Sequence, residues 1–315
     1  MNMFADDRKP LIILIAVTLA LTIALLLRGT GSFDLILFSI LQYFATIGPV
    51  ALGLGLTMIA REFDISVGSS MSLAGCVAVM VGGRDPYLGA LAGVATGVVV
   101  GFLQGVLVTG LGLSSISVSL GALMTLAGLA YVVTGNQSIP LNHADITQAI
   151  NAPIGWVLSF RSLFAIGCFG LAGAVFVLTR AGAELTATGS GRTAAATAGV
   201  NVNRVVVFVF MLSGGLSAAS GVFLSYGLSV ASPSGLSDVL IPAISAAIIG
   251  GVALTGGRGS PFGIACGALT LCSLNAGLNA LDISPVAQQI ILASVLFSVA
   301  VVAAPRLNRL WVRRT

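Results

Sequence analysis

The chain has 315 residues, of which 57% are hydrophobic and 8% are charged, with a mean hydropathy of +1.07 and a formal net charge of +4. Soluble domains carry about 25% charged residues, so this composition excludes a water-soluble globule with a polar shell. The apolar runs are continuous and about 20 residues long, which excludes a barrel of short alternating strands and predicts an all-α, polytopic membrane protein. Because the basic residues stand near the ends of these runs, the net charge indicates membrane topology, and we expect no nucleic-acid partner.

Ten transmembrane helices are predicted, within a single membrane domain that covers residues 1–315. The predicted spans are about 11–28, 35–60, 65–82, 87–110, 113–134, 161–180, 205–230, 239–256, 260–280 and 284–304. With both termini in the cytoplasm, only Arg28, Arg84 and Arg161 of the 14 basic residues fall outside, as the positive-inside rule expects. The first run is long enough to span, so it is interpreted as a helix and not as a cleavable signal peptide.

The stretch Arg61–Gly68 places three charges between the second and third apolar runs. A charge in hydrocarbon costs several kcal/mol, so these residues mark either a membrane boundary or a protected functional site. The topology assigns them to a cytoplasmic turn, where two helices meet as a hinge. Asp64 precedes the predicted start of the third span, so we expect its carboxylate to cap free amides there, with a gating role as the alternative.

The fourth span carries a glycine at every fourth position, which makes one smooth face along a helix. This face predicts close helix packing, with a flexible gate as the alternative. The glycines are Gly89, Gly93, Gly97, Gly101 and Gly105.

The connection between the sixth and seventh spans, about residues 181–204, contains an alanine-rich run between glycines. Arg192 or Thr193 opens this run, and Gly199 suits a helix C-terminus, so a short helix is predicted on the cytoplasmic face. Its small side chains would let a cytoplasmic partner approach closely, and the alternative is a plain surface helix. The long connection on the outer side is about residues 135–160.

Neutral polar side chains within the spans are the candidates for a substrate path, because amides exchange hydrogen bonds with a neutral polyol. They are Gln42, Gln104, Asn275 and Asn279. For each of them, hydrogen bonding between helices is the alternative.

No catalytic set or metal-ligand cluster is found in the sequence, so we expect neither an enzyme, nor a metal site, nor a cofactor in this chain. His143 is the only histidine and is assigned to the outer connection, and the four cysteines lie in apolar runs without CxxC spacing. Lys9 is the only lysine, so a P-loop lysine is absent and any ATP hydrolysis must come from another subunit.

Four stretches resemble the permease subunits of ribose-type ABC sugar importers. Phe63–Gly68 is similar to the Ile-Asp-Leu-Ser-Val-Gly of that family, and Gly250–Ser260 to its Gly-Gly-x-x-Leu-x-Gly-Gly-Arg-Gly-Ser. Leu274–Asn279 with the following Ser-Pro resembles another family run, and the inner connection looks like the coupling-helix motif. The matches stand in the family's order from about residue 35 to the C-terminus.

The resemblance implies a type II importer fold in the bacterial inner membrane. Two permease subunits, identical or paralogous, would line a central path, and a periplasmic binding protein would deliver substrate. Two ATPase subunits, which carry the ATP and Mg²⁺, would dock on the coupling helices. The implied coupling residues are Gly191, Arg192, Thr193, Ala194, Ala195, Gly199 and Asn201, and the implied motif or hinge residues are Asp64, Ser66, Gly68, Gly257, Arg258 and Gly259.

Three stretches depart from the family pattern. The coupling motif usually carries asparagine and an acidic residue where this chain has Gly191 and Thr193. Arg61 and Glu62 replace a Thr-Gly-Gly or Thr-Ser-Gly, and the acidic pair expected after the seventh span is absent from Leu240–Ala246.

The predicted function is permeation of a monosaccharide or sugar alcohol in an ATP-driven importer. The alternatives are an ABC permease for branched-chain amino acids or nucleosides, and an ion-coupled secondary transporter. The second alternative requires intramembrane ion ligands, of which the spans contain few.

Overall fold

A computed structural model describes residues 8–28, 33–234 and 237–303 of the chain. The predicted cytoplasmic arginines after residue 303 lie outside these ranges. Helices dominate the described residues. They are α1 (Arg8–Arg28), α2 (Phe33–Ile59), α3 (Val67–Gly82), α4 (Pro86–Gly110), α5 (Ser115–Thr134), α6 (Ala144–Asn151), α7 (Phe160–Leu178), α8 (Arg180–Ser190), α9 (Arg192–Thr197), α10 (Val202–Gly227), α11 (Leu240–Ile249), α12 (Pro261–Ala280) and α13 (Pro285–Ala303).

Within the described residues, six helices are long and apolar enough to cross a membrane: α2, α4, α5, α7, α10 and α12. Shorter apolar helical stretches cover Lys9–Thr22, Val67–Gly82, Leu240–Ile249 and Pro285–Val295. The prediction of an all-α membrane protein is confirmed, while the count of ten spans stays a prediction.

Helix α2 is the centre of the largest apolar core. Every one of its residues from Val50 to Ile59 is buried, and α7, α10, α11 and α12 pack around it. Since these ten residues are covered on every side, the second half of α2 is the inner member of this group. The connection that follows Ile59 is therefore held deep among other helices.

The glycine face of α4 lies against α10 and α3. A β-carbon added at Gly97 would overlap the carbonyl oxygen of Gly214 on α10, and one added at Gly101 would overlap that of Phe210. At Gly93 an added β-carbon would lie 2.6 Å from Val222 Cγ2 and 2.7 Å from the Ala74 carbonyl oxygen. The helices thus touch through their backbones, the arrangement that small residues allow in membranes.

The predicted eighth span, 239–256, is wrong as a continuous helix. Helix α11 has 10 residues, which rise about 15 Å, or roughly half of a bilayer's hydrocarbon core. It ends where Gly250 packs against the backbone of Gly263 and Ile264 on α12, and Gly251 then takes a φ of +84°. The chain continues to Ser260 as an irregular segment, because consecutive glycines with positive φ cannot extend a right-handed helix.

The outer connection carries structure of its own. Its strand β1 (Ile139–Pro140) pairs antiparallel with β2 (Val230–Ala231), which follows α10. Helix α6 lies in the same connection and begins directly after His143. Asn151 at the end of α6 donates 2.8 Å to the carbonyl oxygen of Gly227, so the connection is tied to the end of α10.

Replacing Gly101 by alanine should lower the stability of the protein, because the new β-carbon would overlap the Phe210 carbonyl oxygen. Overpacking of this kind typically costs about 1–3 kcal/mol. The measurement is the thermal unfolding midpoint in detergent, followed with a thiol-reactive dye that reports the buried Cys76, Cys266 and Cys272.

The matched control is Gly128→Ala on α5, where an added β-carbon meets nothing within 4 Å. This change should leave the midpoint unchanged or raise it slightly. Equal midpoints for the two variants would show that the α4–α10 contact does not depend on glycine.

Candidate functional site

The connection between α2 and α3, residues 60–66, is a buried polar segment. The side chain of Glu62 and that of Asp64 are both inside the protein, with residue exposures of 6% and 1%. The turn is possible because Arg61 adopts a φ of +66°, which lets the amide of Glu62 return to the carbonyl oxygen of Thr57 at 2.9 Å. The sequence pattern identified this segment, but it did not indicate that the segment would be enclosed.

Asp64 links this connection to α10. Its Oδ1 accepts the amide of Ser66 at 3.0 Å and the hydroxyl of Ser66 at 2.7 Å, and its Oδ2 accepts the hydroxyl of Ser213 at 2.8 Å. Helix α3 begins one residue later, and its N-cap residue Ser66 makes no side-chain capping bond. The carboxylate therefore binds the amide just before the helix, and not the amides of its first turn as a helix cap would. It also joins two elements that are 149 residues apart in sequence.

Burial raises the pKa of the Asp64 carboxyl, and the hydrogen bonds from Ser66 and Ser213 partly offset this shift. Among the described residues, no cation pairs with this carboxyl. The hydrogen bonds from the Ser66 amide, the Ser66 hydroxyl and the Ser213 hydroxyl thus offset the free-energy cost of removing the carboxylate from water.

Gln104 belongs to the same polar cluster. Its Nε2 donates 2.8 Å to the Ser66 hydroxyl, and the residue is 4% exposed. The structure therefore places this candidate path residue within the α3–α4–α10 interface, where it makes a hydrogen bond between elements; its place on a substrate path stays a prediction. We name the set of Asp64, Ser66, Gln104 and Ser213 the Asp64 cluster.

The other side of the connection is held by α5. The amide of Phe63 donates 3.2 Å to the Ser115 hydroxyl, and the carbonyl oxygen of Phe63 accepts the hydroxyl of Ser119 at 3.2 Å. Residue Gly68 lies in the first turn of α3 and is buried. Helices α4, α5 and α10 thus all contact one seven-residue connection.

Helix α9 reaches the connection through an ion pair. Arg192 at its start binds the carboxylate of Glu62, and this is the one ion pair among the described side chains. The Arg192 side chain is 47% exposed, whereas the Glu62 side chain is 5% exposed. The glutamate is therefore buried, and the arginine covers it from the surface. Within α9, Ala195 is buried and the remaining residues are exposed.

The predicted short helix is found where the sequence placed it. It covers Arg192–Thr197, and Gly199 has a φ of +87° just beyond it. Gly191 precedes the helix, and Asn201 accepts the amide of Arg204 at 3.1 Å as the N-cap of α10. Thr193 and Ala194 lie on the exposed surface of α9.

The glycine-rich segment after α11 contacts the end of α2, next to the same connection. The amide of Gly257 donates 2.8 Å to the carbonyl oxygen of Ile59, the last residue of α2. A β-carbon at Gly189 on α8 would overlap that carbonyl oxygen, and one at Gly259 would lie 2.9 Å from Ile59 Cγ1. The carbonyl oxygen of Arg258 accepts the amide of Ala253 at 3.1 Å, which closes the loop. The predicted hinge residues of both motifs are thus brought together around the end of α2.

The other candidate path residues lie elsewhere. Both side-chain polar atoms of Gln42 on α2 are buried without a hydrogen-bond partner. On α12, Asn275 is half-buried and Asn279 is exposed. Among the described residues, the structure does not join these side chains into one polar site.

Sequence reasoning missed Ser213 and the pairing of Glu62 with Arg192. A serine in an apolar helix has no sequence signal that separates a long-range partner from a local one. The charges of Glu62 and Arg192 were both noted, but 130 residues of chain separate them. It also missed the buried Arg161, which donates 2.8 Å to the Thr46 hydroxyl and 3.3 Å to Asn151 Oδ1.

Comparison with known proteins gives consistent matches. Residues 36–300 match the family described as branched-chain amino acid transport system / permease component. The ribose import permease protein of Escherichia coli strain K12 is 31% identical over 270 residues, which cover 82% of this chain and 83% of that protein. The fructose import permease protein of Rhizobium meliloti is 30% identical over 88% of this chain and 79% of that protein. The D-allose transport system permease protein of Escherichia coli strain K12 is 28% identical over 83% of this chain and 80% of that protein.

Replacing Asp64 by alanine should lower the unfolding midpoint, because it leaves the Ser66 amide and the Ser213 hydroxyl buried without partners. Loss of a buried partner costs about 1–3 kcal/mol. Asp64→Asn is the matched control, since Asn can accept from Ser66 and donate to a rotated Ser213 hydroxyl. Its midpoint should stay near that of the wild type. The same loss in both variants would show that the charge of Asp64, and not its hydrogen bonding, holds the connection.

Proposed function

Because this chain belongs to the family of branched-chain amino acid transport system / permease components, we propose that it is the membrane permease subunit of an ATP-driven monosaccharide importer. The observation that carries the proposal is its similarity to import permeases named for ribose, fructose and D-allose, over about four fifths of this chain and of each relative. The family description mentions amino acids, yet the relatives just described are named for sugars. A monosaccharide is therefore the cargo that the similarity favours.

The proposed complex needs partners that supply energy and substrate. Proteins of this family work as transport permeases, so ATP hydrolysis is assigned to two ATPase subunits with their Mg²⁺, and substrate delivery to a periplasmic binding protein. A second permease subunit completes the path. The chain itself is a membrane-embedded protein of the inner membrane, and we place both of its termini in the cytoplasm on the distribution of its basic residues.

Helix α9 is the proposed docking element for an ATPase subunit. Apart from Arg192, its exposed residues are small and surround the buried Ala195, so a protein partner can approach its backbone closely. Through Arg192, a displacement of α9 acts on Glu62 and thus on the connection between α2 and α3. The Asp64 cluster then links that connection to α4 and α10. Residues Gly257–Gly259, which contact the same end of α2, would move with it as a hinge.

Sugar uptake tests the proposed function directly. The chain would be reconstituted in proteoliposomes with its cognate ATPase and binding protein. Uptake of labelled ribose, fructose, allose and leucine would then be measured with and without ATP. We expect ATP-dependent accumulation of at least one sugar and no accumulation of leucine. Leucine uptake alone, or uptake that persists without ATP and collapses with a protonophore, would contradict the proposal.

Substitution of Ala196 by tryptophan tests the docking role of α9. Ala196 is exposed, so the bulky side chain should leave folding intact while it blocks close approach of a partner. The expected result is a loss of roughly tenfold or more in the ATPase subunit that co-purifies, as for a clash at the centre of an interface. Ala183→Trp on the exposed side of α8 is the matched control and should retain the ATPase. Normal co-purification with Ala196→Trp would assign the docking surface to another segment.

A further inference from the structure

A groove of about 510 Å³ opens between α2, α7, α8 and α10. Its walls are almost entirely apolar and include Leu52, Leu171, Val175, Phe208, Leu212 and Leu216. Its volume lies within the range of roughly 300–1,000 Å³ that is usual for small-molecule sites. Because α2, α7 and α10 are candidate membrane spans, an occupant from the membrane can enter it sideways.

The depth of the groove matches one leaflet of a bilayer. Along α10 its lining runs from Arg204 to Leu216, which is a rise of about 18 Å at 1.5 Å per residue. Half of a hydrocarbon core of about 30 Å is about 15 Å. The groove therefore extends from the end of α10, at headgroup level, to about the middle of the membrane.

Two opposite charges stand at the headgroup end of this groove. Arg204 begins its lining on α10, and Glu184 contributes to it from α8. The arginine is exposed and the glutamate is half-buried, and neither forms an ion pair with another described residue. One guanidinium and one carboxylate at the rim are complementary to a ligand that carries both a phosphate and an ammonium group.

We propose that this groove binds one phosphatidylethanolamine molecule. An acyl chain occupies the apolar walls, the phosphate accepts hydrogen bonds from Arg204, and the primary ammonium donates to Glu184. Phosphatidylglycerol lacks the ammonium group, so the negative charge of Glu184 has no cationic partner and repels the phosphate. Phosphatidylcholine carries a quaternary ammonium without an N–H donor. The lipid also contacts Ala181 and Leu185 on α8, the helix that leads into α9, so it braces that helix against α7 and α10.

Native mass spectrometry of the full-length chain in detergent tests this site. The chain would be titrated separately with phosphatidylethanolamine, phosphatidylglycerol and phosphatidylcholine, and the fraction with one bound lipid measured. We expect phosphatidylethanolamine to bind best. Arg204→Gln should weaken its binding about tenfold, as for loss of one hydrogen bond to a charged group. Glu184→Gln should weaken binding of phosphatidylethanolamine and strengthen that of phosphatidylglycerol.

The matched control is Arg180→Gln, which removes an exposed arginine on α8 that does not line the groove. It should bind lipid like the wild type. Ala172→Phe fills the groove without touching its charges and should abolish the one-lipid complex, so the test does not depend on the charged variants alone.

Equal binding of the three lipids, or equal effects of Arg204→Gln and Arg180→Gln, would overturn the proposal in favour of a non-selective lipid layer. Absence of any retained lipid, as expected if a protein subunit covers the groove, would also overturn it. This readout requires no transport, so its failure is distinguishable from failure of the proposed function.

Discussion

The hydrogen bonding of one buried carboxylate is the interaction on which the arrangement of the helices around the α2–α3 connection depends. Asp64 lies in a connection that α2 carries into the interior, where the residue is 1% exposed and its charge must be compensated by hydrogen bonds from the protein. Ser66 and Ser213 supply its donors, and Gln104 extends the cluster to α4. Removing any one of these partners leaves another polar group buried, so the connection, α4 and α10 hold their positions together.

Close backbone contacts make this arrangement possible. A polar cluster of short side chains can join three helices only if the helices approach more closely than large side chains permit. The glycine face of α4 provides that approach towards α10, and Gly53 on α2 does so towards the backbone of Ser213, where an added β-carbon would lie 2.7 Å from its Cα. The glycine spacing therefore allows the close approach of the helices that the hydrogen bonds of the Asp64 cluster require.

Much of this could be predicted from the sequence, for clear physical reasons. Long apolar runs and the four-residue glycine spacing are local patterns, and both predict helices and their close packing. The short helix at Arg192–Thr197 follows equally from an alanine run that ends at a glycine.

What the sequence could not predict depends on contacts between residues that are far apart in the chain. The segment 239–256 was predicted as one span, but the packing of Gly250 against α12 and the positive φ of the glycines that follow end α11 early. For Gln104, the sequence left open a substrate path or a hydrogen bond between helices, and it could not indicate the partner Ser66, which is 38 residues away.

The ion pair between Glu62 and Arg192 connects two departures from the family pattern that looked independent in the sequence. The coupling motif lacks its usual acidic residue at Gly191–Thr193, and the turn before Asp64 carries a glutamate where the family has small residues. The structure places that glutamate against the first residue of α9. This chain thus carries its negative charge in the turn, where the Glu62 side chain is 5% exposed and pairs with Arg192 from inside the protein. An acidic residue on α9 itself would instead be exposed, like the other residues of that helix except Ala195. In this chain the carboxylate is instead paired inside the protein, and apart from Arg192 the exposed residues of α9 are small and uncharged. In the proposed docking on α9, an ATPase subunit would therefore meet small neutral side chains and the guanidinium of Arg192, with no carboxylate on the helix.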